Sequence, residues 1–135
     1  MPYTKVVTDE IRKCGAMVSL HNCGTRPYLD LQIKYMNPYI YSFADLPDDC
    51  LNMEELKEKY GHKAALVGFV RTDDIMLQDP WRIMESAEEQ IRVLAPGGGF
   101  APAPGCEYPP NHELINAVAI SKAAQVYGRY PINGR

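Results

Sequence analysis

Short apolar runs alternate with amphipathic stretches along this chain, and this alternation constrains the fold more than any other feature of the sequence. Runs such as 16–21 (AMVSLH) and 64–70 (AALVGFV) are bounded by turn residues, as buried strands are. The amphipathic stretches begin near capping residues or proline and end at glycine or proline. We therefore predict helices over 2–13, 27–36, 52–60, 79–96 and 111–127, and strands over 16–21, 39–44, 64–70 and 99–101.

The predicted order is one helix followed by four strand–helix units with short links. Such alternation is typical of an α/β protein whose parallel strands are joined by right-handed crossovers. The periodicity alone leaves two architectures open, a doubly wound open sheet and a (β/α) barrel. The 135 residues provide for a single domain, 1–135, with one core of modest size.

Composition and charge exclude several classes of function. The chain is 46% hydrophobic and 23% charged with a net charge of −3, so it has no basic patch for nucleic acid or for an anionic membrane. Its apolar runs are far shorter than the roughly 20 residues of a membrane span, and its start lacks the apolar centre of a signal peptide. We therefore expect a cytoplasmic protein whose four cysteines are reduced.

Polar side chains follow each of the four predicted strands. His21 and Cys23 follow the first, Asp45 the second, Arg71 the third, and Cys106 with Glu107 the fourth. Active sites of barrels and of open α/β sheets are built at these carboxyl ends of the strands. The distribution therefore predicts a functional site at this end of the sheet.

The pair His21 and Cys23 is spaced so that both side chains can reach one metal ion from a strand end. Cys106 would join them if its strand lies in the same sheet, and three N and S donors with an open fourth position are typical of catalytic zinc. Spacing alone also permits a hydrogen-bonded histidine and two unrelated thiols. Cys14 and Cys50 have no His or Cys at ligand spacing, and we interpret them as structural thiols.

Four stretches of this sequence resemble the C-terminal part of the uroporphyrinogen decarboxylase superfamily: VSLHNCG, LVGFVRTDD, APGGGF followed by APGCEYPP, and the closing AAQVYGRYP. The similarity runs from about residue 3 to 131. It implies the C-terminal half of a (β/α)8 TIM barrel. Within the superfamily, the H-x-C and the distant G-C-E are similar to the zinc motif of the cobalamin-dependent methyltransferases of coenzyme M and methoxylated substrates.

This resemblance implies that His21, Cys23 and Cys106 bind zinc. The zinc would hold a thiol substrate as the thiolate or polarise a methoxy oxygen, while a corrinoid (cobalamin) on a partner protein carries the methyl group. Glu107 and Asp45 are the candidate catalytic residues. Arg71 lies at the same end of the predicted sheet.

Half a barrel leaves two sheet edges unpaired and an inner face uncovered. We therefore expect a homodimer, or a separate chain that supplies the N-terminal half-barrel. Two alternative functions remain open at this point. One is a metal-free uroporphyrinogen decarboxylase-like lyase, and the other is a non-catalytic assembly or binding member of the family.

Overall fold

The computed structural model describes residues 2–132 and confirms the predicted α/β fold. Its elements are, in chain order, α1 (Pro2–Lys13), β1 (Ser19–Asn22), α2 (Leu29–Met36), β2 (Ile40–Phe43), α3 (Met53–Tyr60), β3 (Ala65–Val67), α4 (Thr72–Leu77), α5 (Pro80–Leu94), β4 (Phe100–Ala101) and α6 (Ile115–Tyr127). No helix among these is long and apolar enough to cross a membrane.

The four strands form one parallel sheet in the order β1-β2-β3-β4. Each strand therefore lies beside the next strand of the chain, as in a barrel. A doubly wound sheet would reverse direction at a switch point, and no reversal occurs among the strands of residues 2–132. The strand order thus favours a partial TIM barrel over the open sheet.

The two faces of the sheet differ in what covers them. Tyr41, Phe43 and Leu66 point to one face and are fully buried in a core that includes Leu29 of α2 and Leu56 of α3. A second core lies between α5 and α6 and reaches the sheet at Val70, with Ile83, Ile91 and Ile120 among its buried members. The opposite face of the sheet carries His21, Ser42, Val67 and Ala101 in one register row, and its side chains are exposed or half-buried.

Helix boundaries follow local capping. Asn52 caps α3, since its side chain accepts a hydrogen bond from the backbone N–H of Glu55. Asp79 caps α5 by accepting from the N–H groups of Trp81 and Arg82, and Pro80 occupies the first turn. These two starts agree with the prediction.

Several predicted boundaries differ from the structure. The first strand spans Ser19–Asn22 rather than 16–21. The third strand ends at Val67, because Gly68 has a φ of +131°, which leaves the extended conformation. The last helix begins at Ile115 rather than at residue 111. The short helix α4 was not predicted, since its six residues are too few to show a period.

Candidate metal centre

His21 is held in the sheet by its partner on the neighbouring strand. It pairs with Ser42 in the β1–β2 register, and its Nδ1 atom lies 3.0 Å from Ser42 Oγ. With Nδ1 in this contact, Nε2 is the ring nitrogen left for a metal. A hydrogen bond to one ring nitrogen sets the tautomer and orientation of a metal-binding histidine. The contact with Ser42 therefore orients the His21 ring so that Nε2 would be its ligand atom.

The side chains of His21, Cys23 and Cys106 converge. One potential ligand atom from each residue, an imidazole nitrogen or a thiol sulfur, lies within 4.8 Å of the other two. His21 and Cys23 are exposed, and Cys106 is half-buried. The structure thus brings together the three residues that the sequence motif singled out.

This convergence depends on the path of the chain after β4. Cys106 follows β4, whereas His21 lies in β1 at the opposite edge. Three interstrand spacings would separate these edges by about 14 Å in a flat sheet. The donor atoms nevertheless lie within 4.8 Å of one another. The loop after β4 brings Cys106 across this distance.

The Cys106 thiol lies close enough to Cys23 to affect the ionisation of Cys23. A hydrogen bond with the Cys106 thiol, followed by charge repulsion from it, raises the pKa of Cys23 above its ordinary value of 9.0. Two adjacent thiolates repel each other unless a cation lies between them. A bound divalent cation would reverse this effect, because metal binding stabilises the thiolate form.

The three residues fit a zinc ion by chemistry and by distance. One nitrogen and two sulfurs are donors that zinc prefers, and bonds of roughly 2.0–2.3 Å would set the donors about 3.6–3.8 Å apart in a tetrahedron. Donors already within 4.8 Å need to move by only about 1 Å to meet one ion. Three protein ligands also leave a fourth position open for another molecule.

The two candidate catalytic carboxylates lie outside this cluster of ligand atoms. Asp45 accepts hydrogen bonds from the backbone N–H groups of Arg26, at 3.1 Å, and Leu46, at 2.9 Å, so it organises the loops after β1 and β2. Glu107 is exposed next to Cys106. Among residues 2–132 the side chain that lies within hydrogen-bond distance of the His21 ring is that of Ser42. The catalytic roles of Asp45 and Glu107 therefore stay predictions.

A cleft of about 270 Å³ adjoins Cys23. Its wall includes Asp45 and the segment Arg71 to Asp73 at the end of β3. The Arg71 guanidinium donates to both carboxylate oxygens of Asp73, from Nε at 3.1 Å and from Nη2 at 2.7 Å. This pairing raises the pKa of Arg71 and lowers that of Asp73, so both groups are charged near neutral pH. The cleft therefore has fixed charges in its wall beside Cys23, one of the three converging residues.

Ser42 is a residue of the site that the sequence analysis missed. The only signal available was its position in the second predicted strand, three residues before Asp45. Pairing it with His21 requires the register of β1 against β2, in which Ser19 pairs with Ile40. Register is a tertiary property that neither strand specifies alone.

Comparison with protein families matches residues 1–127 to the uroporphyrinogen decarboxylase (URO-D) family. Twelve chains of solved structures also match. One is a methyltransferase from Methanosarcina mazei, which is 21% identical and aligns with a TM-score of 0.69 over 93% of this chain and 35% of that chain. No curated protein matches the chain.

These comparisons bear on fold and on family. The likeness to the solved methyltransferase establishes the fold, a partial TIM barrel, and this chain spans about a third of that structure's length. The family match covers all but the last eight of the 135 residues. The chain therefore belongs to the uroporphyrinogen decarboxylase family.

Proposed function

We propose that this chain is the zinc-binding part of a methyltransferase, which transfers a methyl group between a corrinoid and a thiol or methoxylated substrate. The observation that carries the proposal is the convergence of His21, Cys23 and Cys106 to within 4.8 Å at the carboxyl end of the sheet. The solved structure that shares this fold is a methyltransferase, which supports methyl transfer over decarboxylation as the proposed reaction.

The ligands come from both edges of the sheet. His21 would bind through Nε2 while its Nδ1–H donates to Ser42 Oγ, and Cys23 and Cys106 would bind as thiolates. When bound, zinc would lower the pKa of a substrate thiol or polarise a methoxy oxygen. The exposure of His21 and Cys23 leaves one side of the cluster open to such a molecule.

The cleft beside Cys23 is the proposed substrate position. Asp45 holds its wall by binding two backbone amides, and Arg71 is kept at the rim by Asp73. A substrate in this cleft would reach the open position next to Cys23. A corrinoid supplied by a partner protein would donate the methyl group to a substrate thiolate held at this position.

Two partners belong to this proposal. The methyl carrier is a corrinoid bound to a separate protein. A second chain covers the open face of the sheet, either another copy of this chain or a separate N-terminal half-barrel. The face that carries His21 and Ser42 is exposed or half-buried, whereas the interior of a closed barrel is packed.

Metal analysis of the purified chain tests the metal part of the proposal. We expect close to one zinc per chain and loss of that zinc in Cys106→Ser, with Cys14→Ser as the matched control because Cys14 is an exposed cysteine outside the cluster. A metal-free chain would favour the decarboxylase-like alternative.

Methyl transfer from methylcobalamin to a thiol, with and without the N-terminal half of a family member, tests the activity. We expect transfer that requires zinc and is lost in Cys106→Ser. Zinc binding without transfer under either condition would favour a non-catalytic binding role.

A further inference from the structure

Cys106 reaches the other two ligands only because the chain crosses the end of β2 after leaving β4. The loop after β4 first follows the continuation of β3, since Val70 N–H donates to Ala103 O at 3.0 Å and Gly105 N–H donates to Val70 O at 2.7 Å. The next residue, Cys106, has its sulfur within 4.8 Å of the His21 and Cys23 donors. The crossing therefore takes place at Gly105.

Gly105 is buried against the backbone at the end of β2. A Cβ atom at this position would lie 2.8 Å from Ala44 Cα, 3.1 Å from Ala44 Cβ and 3.4 Å from Phe43 O. The first distance is shorter than carbon atoms approach without repulsion. The obstacle is backbone, which cannot move aside as the end of a long side chain can.

Space, rather than backbone conformation, is what requires glycine here. The φ angle of Gly105 lies outside the left-handed region, in contrast to Gly68 at +131°. Alanine can therefore adopt the backbone angles of Gly105. An added methyl group would push the loop away from Ala44, and Cys106 would move with it.

We propose that Gly105 is a positioning residue for the metal centre: its close contact with Ala44 sets the distance of the Cys106 sulfur from Cys23 and His21. This inference rests on the proposed function for the zinc ion, but the approach of the two sulfurs is testable without metal. Removal of a supporting group near a metal ligand typically weakens metal affinity by about 10–100-fold. Because Gly105→Ala would displace the backbone of the ligand Cys106, we expect a loss of metal affinity in the same range.

The metal-free test measures disulfide formation between Cys23 and Cys106 in a Cys14→Ser background. The oxidant is diamide, an azo compound that takes up the two hydrogens removed from the thiol pair and is reduced to a hydrazine. We expect Gly105→Ala to slow this reaction at least tenfold, as followed by intact mass and peptide mapping. Disulfide formation at the unaltered rate would overturn the proposal.

The metal test titrates the same variants with Co²⁺ and with Zn²⁺ against a chelator. We expect Gly105→Ala to bind zinc at least tenfold more weakly, and the thiolate-to-cobalt absorption to fall to the intensity of Cys106→Ser. Gly24→Ala is the matched control beside the other cysteine, because the nearest atom to its added Cβ is the side-chain oxygen Asn22 Oδ1. This control should keep the intensity given by two thiolates.

Ala44→Gly provides the rescue, because it removes the side-chain part of the obstacle at 3.1 Å. We expect Ala44→Gly combined with Gly105→Ala to recover part of the disulfide rate and of the zinc affinity. Circular dichroism verifies that each variant is folded. If Gly105→Ala alone unfolds, the disulfide rate and the zinc affinity of the double variant are compared with those of Ala44→Gly alone. If the unaltered chain binds no zinc but Gly105→Ala slows the disulfide, the proposed function fails and the positioning role stands.

Discussion

His21 Nδ1 lies 3.0 Å from Ser42 Oγ across the β1–β2 pair, so the imidazole is oriented by the sheet itself before any ligand binds. Both residues belong to strands rather than loops. Sites built on regular elements are held more firmly than sites on loops. The orientation of the His21 ring therefore depends on the register of β1 against β2.

Ser42→Ala should weaken zinc binding by about 10–100-fold, because it removes the partner that fixes the tautomer and ring orientation of His21. Competition with a colorimetric zinc chelator measures this affinity. Ser121→Ala, at an exposed position of α6, is the control and should bind zinc as the unaltered chain does. Equal affinities of the two variants would show that Ser42 does not support the site.

Gln90→Leu should lower the free energy of unfolding by about 1 kcal/mol, because it removes the acceptor of the backbone N–H of the half-buried Phe69. Gln90 is 5% exposed, and its Oε1 accepts a hydrogen bond from Phe69 N–H at 2.8 Å. Phe69 in turn stacks on Phe43, with ring centroids 4.9 Å apart. Urea denaturation measures the effect.

The control for this variant is Gln125→Leu at an exposed position of α6, where a change within about 0.5 kcal/mol is expected. A Gln90→Leu chain as stable as this control would mean that Phe69 N–H finds another acceptor.

Tyr60→Phe should destabilise the chain at neutral pH and lose this effect in acid. Burial alone raises the pKa of Asp49, but the hydrogen bond from Tyr60 Oη at 2.6 Å and the charge of Lys59 outweigh it, so that the pKa lies below its ordinary value of 3.8. The ionised carboxylate therefore stabilises the fold above that value. This contribution disappears as the pH falls through the lower folded-state pKa.

We expect a difference in unfolding free energy of about 0.5–1 kcal/mol between Tyr60→Phe and the unaltered chain at pH 7, since the Asp49 carboxylate is partly exposed. Urea denaturation at a series of pH values should show this difference shrinking below pH 3.8. A difference that stays constant into strong acid would assign the effect to packing of the Tyr60 ring instead.

The isolated chain should associate with a second chain rather than persist as a compact monomer, because one face and both edges of its sheet are uncovered. Size-exclusion chromatography with light scattering measures the mass against the 15.2 kDa of one chain. Ile40→Lys, on the uncovered face, should shift the population toward monomer, whereas Leu51→Lys in the exposed loop before α3 should not. A stable monomer at all concentrations would contradict this prediction.

Local pattern predicted well those helix starts that have a side-chain cap. Asn52 and Asp79 mark helix starts by side-chain bonds to nearby backbone, so their signals are local and the predictions at both starts are confirmed. Strand ends depend on neighbours in the sheet. The third strand ends at Val67 rather than at residue 70, and the first begins only at Ser19, where it pairs with Ile40.

The sequence by itself determined the α/β class, the polar residues at the carboxyl ends of the strands and the family. Periodicity, capping and motif spacing are properties of residues that lie close together in the sequence. Only the tertiary structure decided that the strands run in the order β1-β2-β3-β4, that Ser42 contacts His21, and that Gly105 carries Cys106 over Ala44. The contact of Ser42 with His21 depends on the register of two strands, and the position of Gly105 depends on the close approach of two backbone segments that are far apart in sequence. Hence the sequence motif named the three residues that converge, His21, Cys23 and Cys106, whereas it did not show how the chain brings them together.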